Sequence, residues 1–252
     1  MKSAAAAVRH LKRADPVLAR IIERVGSCRL ERDRNQFGAL VEAILYQQLA
    51  LKAAQTIFRR FRQIYGNPRG RLPRPEELRR TPVRKLRAAG LSRQKIGYLR
   101  DLARQVSDGA LKLGRFGRMS DEAVIENVTQ VKGIGRWTGE MFLMFSLGRP
   151  DVLPVGDLGL QIAIKNAYKL HALPSPAKMQ KLAEPWRPYR TVASWYLWQS
   201  RRVCAVRLAK FLQRIRVFLL SHDSREQSRC SFLGLSEVPV SVEPPAFTGL
   251  TS

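Results

Sequence analysis

The chain has 252 residues, enough for one large domain or two small ones, and 45% hydrophobic residues allow a packed core. Lys and Arg number 45 against 20 Asp and Glu, a formal net charge of +25 that points to a polyanionic partner, nucleic acid before membrane. The most apolar run, residues 141–147, is far below the roughly 20 residues that span a bilayer.

Residues 4–7 are too short for a signal-peptide core and run at once into Arg9, His10, Lys12 and Arg13. Residues 37–62 have helical periodicity, carried by Phe37, Leu40, Val41, Ile44, Leu45, Ile57, Phe58 and Phe61. Gln47 and Gln48 interrupt that pattern, and their apolar surroundings place the two amides at a buried or ligand-facing surface. A basic, proline-rich loop over 67–75 follows. Residues 75–89 and 93–106 read as two helices separated by Gly90. Ser120, with Asp121 and Glu122 behind it, is a helix start: a capping hydroxyl, then carboxylates in the first turn. Segments 121–130 and 136–147 flank a turn at Gly133 and Gly135, a hairpin over 121–147. Further helices are expected at 157–169, 176–184 and 188–219, with Pro185 and Pro188 dividing the last two.

No sustained β alternation precedes residue 220, so the fold class is all-α, with one domain over 1–220. From Ser221 onward no helical face can be drawn, and 221–252 reads as a disordered or weakly packed tail. Cys28, Cys204 and Cys230 form no CxxC pair; neither a zinc site nor a disulfide framework is expected, and the thiols suit an intracellular protein.

The chemistry concentrates in two stretches. Lys132-Gly133-Ile134-Gly135-Arg136-Trp137-Thr138-Gly139 fails as a dinucleotide fingerprint, because Thr138 stands where a third glycine is needed and the preceding segment is helical. A plain turn between helices would use glycine too. The functional reading is that backbone amides at the start of the second helix meet a phosphate, with Lys132 and Arg136 adding charge. Leu153-Pro154-Val155-Gly156-Asp157 then supplies one carboxylate at a helix start. Asp157 suits an N-cap, and a carboxylate held at a helix N-terminus also suits stabilisation of positive charge. Trp137, Trp195, Tyr196 and Trp198 have helical spacing and are ordinarily core. Trp137, one turn from the glycines, is placed to face a pocket shared with Asp157.

These residues resemble the helix–hairpin–helix DNA glycosylase superfamily, in particular its DNA-3-methyladenine glycosylase II type. The resemblance rests on an ordered set: residues 37–57 with Tyr46-Gln47-Gln48-Leu49, then 86–95, then 131–138, then 151–157, and finally 186–190 with 193–198. It covers roughly residues 30–205. It implies a two-lobed helical fold with the active site in the cleft between lobes. It implies that Asp157 is catalytic and that Trp137, Trp198, Gln47 and Tyr46 line the base pocket. It implies that Lys132, Gly133, Gly135, Arg136 and Thr138 hold DNA phosphates, and that Gln48 or Leu49 fills the gap left by an extruded nucleotide. Strand-cutting members carry a lysine where this chain has Trp137, so a monofunctional enzyme is implied. The family often shows two acidic residues after the proline; here Gly156 replaces the first.

The activity implied is base excision repair by base flipping: hydrolysis of the N-glycosidic bond of alkylated purines such as 3-methyladenine in duplex DNA. No cofactor or metal is called for. A monomer acting on double-stranded DNA, away from membranes, in the bacterial cytoplasm or a nucleus, is expected. The rival reading is a non-catalytic helix–hairpin–helix DNA-binding module, which explains the charge and the glycine turn without needing Asp157, Trp137 and Trp198 to converge. A basic RNA-binding scaffold explains the charge alone. An Asp157 that is an exposed cap, with no cavity beside it, would favour the binding module.

Overall fold

The computed structural model describes residues 4–66 and 70–200, and all regular structure in them is helical. The helices are α1 (Ala4–Ala14), α2 (Pro16–Val25), α3 (Gln36–Tyr46), α4 (Leu51–Gln63), α5 (Pro75–Arg80), α6 (Val83–Ala88), α7 (Arg93–Ser107), α8 (Asp121–Thr129), α9 (Arg136–Phe142), α10 (Leu158–Ala167), α11 (Pro176–Leu182) and α12 (Arg190–Gln199). None of these is long and apolar enough to cross a membrane. The second half of the helix expected at 188–219, and the tail expected at 221–252, lie outside the described residues.

Three expected helices are broken, each for a visible reason. The pattern over 37–62 is two helices, because Gln47 leaves helical geometry (φ −57, ψ 139) and Gln48 takes a positive φ of 54°. The pattern over 75–89 divides at Thr81, whose extended backbone (ψ 124) is what a following Pro82 imposes. The pattern over 136–147 is α9 followed by a π-helical turn, Leu143–Leu147, ended by left-handed Gly148. A π turn frees carbonyls, and here the segment before α3 takes them up. The backbone N–H of Asp33 donates to Phe145 O at 2.8 Å and Arg32 Nε to Ser146 O at 2.8 Å.

Two helices, α1 and α2, had no counterpart in the periodicity read above. The sign was present: Asp15 caps α2, accepting from the amides of Val17 and Leu18, and Pro16 takes the first helical position. Leu18, Ile21 and Ile22 then bury one face. The other Asp15 oxygen accepts from Tyr168 Oη at 2.6 Å and Trp186 Nε1 at 2.8 Å. One short carboxylate thus fastens the start of α2 to the end of α10 and to the turn before α12. Hydrogen bonds to a charged group contribute about 1.5–3 kcal/mol each.

The helices form two lobes. In one, α1 and α2 pack with α10 and α12; in the other, α3 packs against α4, α7 and α9, with α8 on α9 and α5 on α7. Helix α3 is apolar on nearly every side and forms the centre of the second lobe. Asp151 pins the connection before α10 to α12, its two oxygens accepting from Arg190 Nε at 2.7 Å and Nη2 at 2.9 Å.

Candidate active site

Ser120 caps α8, its hydroxyl accepting from the Ala123 amide, and the buried Val128 and Val131 lead into the turn at Gly133. Gly133 has φ +82, and a Cβ there would stand 2.2 Å from Tyr98 Cδ2. Both the backbone geometry and the tyrosine under it require glycine. The Lys132 amide donates to Asp101 Oδ2 at 2.9 Å, so α7 fixes the start of the turn. Gly139 lets α9 close on α8, since a Cβ would meet Val128 and Ile125 at 3.2–3.3 Å. Gly133 and Gly135 are exposed, and among the described residues no acceptor takes their amides.

Two residues expected to meet phosphate are otherwise engaged. Arg136 is bidentate with Glu122, at 2.6 and 2.8 Å, and lies 3.4 Å from Glu140, so its charge is already answered. Thr138 is buried, because the third residue of α9 turns inward, and it lines a cavity instead of the outer surface. Burial also raises the Glu140 carboxyl above its ordinary range, with Arg136 pulling it back.

Asp157 caps α10, as a sequence reading with no chemistry would have it. Its Oδ1 accepts from the Leu160 amide at 2.5 Å and from Trp198 Nε1 at 3.0 Å, and its Oδ2 accepts from Trp137 Nε1 at 2.8 Å. The residue is 6% exposed. Three donors therefore orient a carboxylate that is not an exposed cap and, among the described residues, has no ion-pair partner. Trp198 was expected against the base; it is 5% exposed, lines no part of the cavity described next, and holds Asp157 from behind. Its place on the inner face of α12 makes it a support. Trp137 is 38% exposed and presents its ring to open space.

That space is a cavity of about 470 Å³ between the α3–α4 turn, α7 and the hairpin. Tyr46, Gln47 and Gln48 form one wall, Gly133, Trp137, Thr138 and Met141 another, and Gln94, Lys95 and Tyr98 a third. Gln47 Nε2 donates to Gly133 O at 2.7 Å across it. Tyr46 and Gln47, expected in a base pocket, both line this cavity. Gln48 is exposed at the rim, and Leu49 is half-buried in the same turn. The cavity belongs wholly to the second lobe; Asp157 comes from the first and reaches its edge through Trp137. Lys95, Tyr98 and Met141 were not singled out from the sequence. A basic residue two positions into a capped helix reads as surface, and only the packing of α7 on α3 turns Lys95 inward. Among the described residues no group of His, Cys, Asp and Glu is placed to hold a metal.

Helical hairpin, buried cap and adjoining cavity are the layout of a base excision DNA glycosylase. Residues 41–188 match the model of the HhH-GPD superfamily of base excision DNA repair proteins, and the chain belongs to that family. It is 41% identical over 202 residues to DNA-3-methyladenine glycosylase 1 of Schizosaccharomyces pombe, covering 77% of this chain and 86% of the relative. The solved structure of the Schizosaccharomyces pombe 3-methyladenine DNA glycosylase in complex with abasic DNA superposes with a TM-score of 0.68. It is 36% identical and covers 79% of this chain and 98% of its own. That of a DNA-3-methyladenine glycosidase from Bacillus halodurans gives 0.70 at 39% identity, over 84% of this chain and 97% of its own.

Proposed function

We propose that this base excision DNA glycosylase hydrolyses the N-glycosidic bond of alkylated purines such as 3-methyladenine in duplex DNA, and does so without cutting the strand. The observation that carries the reading is the placement of Asp157, buried and held by two indole N–H groups beside an aromatic cavity. A base in a stacked duplex is out of reach and must be extruded, at a cost of a few kcal/mol that is least for damaged bases. The turn bearing Gln48 and Leu49 is positioned to fill the vacancy, while the free amides of Gly133 and Gly135, with Lys132, meet the backbone. An N-alkylated purine is cationic, and stacking on the Trp137 ring is worth about 0.5–2 kcal/mol. Such a base leaves readily, so the demand falls on the oxocarbenium-like sugar, which an ionised Asp157 stabilises.

Asp157→Asn tests this. Asn also caps helices, so α10 and DNA binding survive. Release of 3-methyladenine from methylated duplex is expected to fall at least about 100-fold; near-normal release by the variant overturns the assignment. The absence of strand cutting is tested separately. Indole forms no Schiff base, so borohydride added to enzyme and lesion DNA is expected to trap no covalent adduct. Efficient trapping overturns the monofunctional reading alone.

A further inference from the structure

The hairpin helix carries a second buried carboxylate, which the chemistry described above does not use. Glu140 is 6% exposed and stands three residues on from Trp137, on the same side of α9. Burial holds its carboxyl above the ordinary range, Arg136 pulls it down, and the nearby charges of Asp157 and Glu122 push it up again. Arg136 answers the Glu140 charge incompletely. Both Nη atoms of the guanidinium go to Glu122, at 2.6 and 2.8 Å, and Nε is left for Glu140 at 3.4 Å. Arg136 and Glu122 are exposed, so water and salt screen them; Glu140 is buried and is screened far less.

Two like charges brought together inside a protein repel each other. The fold offsets that cost with the three donors on Asp157 and the guanidinium beside Glu140. A cation that forms next to them during the reaction relieves the repulsion, and an interaction that grows only in the transition state accelerates the step. We infer that Glu140 is an electrostatic partner of Asp157: from the inner side of α9 it adds a second negative charge to the field that stabilises the cationic sugar, without touching substrate. The inference rests on Asp157 being the catalytic carboxylate, as proposed above.

Two substitutions separate charge from shape. Glu140→Gln keeps the shape and removes the charge; Glu140→Asp keeps the charge and shortens the side chain by one methylene. In single-turnover release of 3-methyladenine from methylated duplex by saturating enzyme, Glu140→Gln is expected to be about tenfold slower than wild type. Glu140→Asp should retain more of the rate than Glu140→Gln, whereas a packing role gives the opposite order. The pH profile is the second readout. A carboxyl held above its ordinary range takes up its proton at mildly acidic pH, and a protonated Glu140 resembles glutamine. The ratio of wild-type to Glu140→Gln rates should therefore be constant around neutrality and decline towards one as pH falls. The charged groups facing Glu140 (Arg136, Glu122 and Asp157) are common to both proteins. Glu140→Met, which sets no amide against the guanidinium, serves should Glu140→Gln not fold. A ratio near one at neutral pH, a ratio that does not change with pH, or a loss no smaller in Glu140→Asp overturns the inference and leaves the proposed function standing. Near-normal release by Asp157→Asn, assayed alongside, overturns both.

Discussion

The Trp137 indole donates to Asp157 Oδ2 at 2.8 Å, and this bond joins the two lobes at the edge of the cavity. Trp137 belongs to the hairpin helix α9 and Asp157 is the N-cap of α10, so the residue whose ring lines the cavity also sets the position of the carboxylate. The molecule contains a control for this arrangement. Asp15 is likewise a buried N-cap that accepts from an indole, that of Trp186. Its partner ring, unlike that of Trp137, is fully buried. The same device, a capped carboxylate with an indole partner, thus occurs twice, and at Asp157 the partner indole lines a cavity.

The supporting role of Trp198 can be separated from base contact. Trp198→Phe removes the donor at 3.0 Å from Asp157 Oδ1 and leaves an apolar ring inside α12. A hydrogen bond to a charged group is worth about 1.5–3 kcal/mol, so kcat is expected to fall at least about tenfold. Affinity for duplex DNA is expected to hold. Single-turnover base release and fluorescence anisotropy measure the two; a loss confined to KM for the lesion would return Trp198 to the base pocket.

Gly133→Ala is expected to damage DNA binding. The new Cβ meets the Tyr98 ring at 2.2 Å and the backbone sits at φ +82, a conformation that costs an L-residue about 1–2 kcal/mol. Affinity should fall about tenfold and the melting temperature should drop. In a Tyr98→Ala background only the collision is relieved, so rescue should be partial. Full binding by Gly133→Ala alone would show that the turn does not carry the contact.

Binding to undamaged duplex should weaken steeply with salt, because each phosphate contact releases counterions. Lys132→Ala is expected to reduce the slope of log affinity against log salt by about 1. Arg136→Ala should change it less, since Glu122 and Glu140 already hold that guanidinium. Equal effects of the two substitutions would mean that DNA displaces both carboxylates.

Lys95 also leaves a trace in stability. Its folded pKa is about 8 against an ordinary 10.5, so between those values the unfolded chain binds more protons. The cost of burying the charge is present below pH 8 and is relieved as pH rises towards 10.5. The melting temperature of the wild-type chain, taken relative to Lys95→Met, should therefore rise across that window. A flat difference would place the ammonium in water.

The all-α class, the hairpin and the cap at Asp157 were legible in the sequence, because each depends on local physics. Helical periodicity shows where apolar faces lie, Ser and Asp before such faces mark helix starts, and two glycines between them mark a turn. Other features were decided by contacts between residues far apart in the chain. The break of 37–62 into two helices lies at Gln47 and Gln48, and the carbonyls of Leu45 and Gln47 beside it are taken up by Lys95, some fifty positions away. Whether Arg136 was free for phosphate depended on Glu122, and whether Trp198 touched base or carboxylate depended on how α12 packs on α10. Periodicity assigns a side chain to a face of its helix. What stands opposite that face, cavity, carboxylate or solvent, is set by the packing of the two lobes.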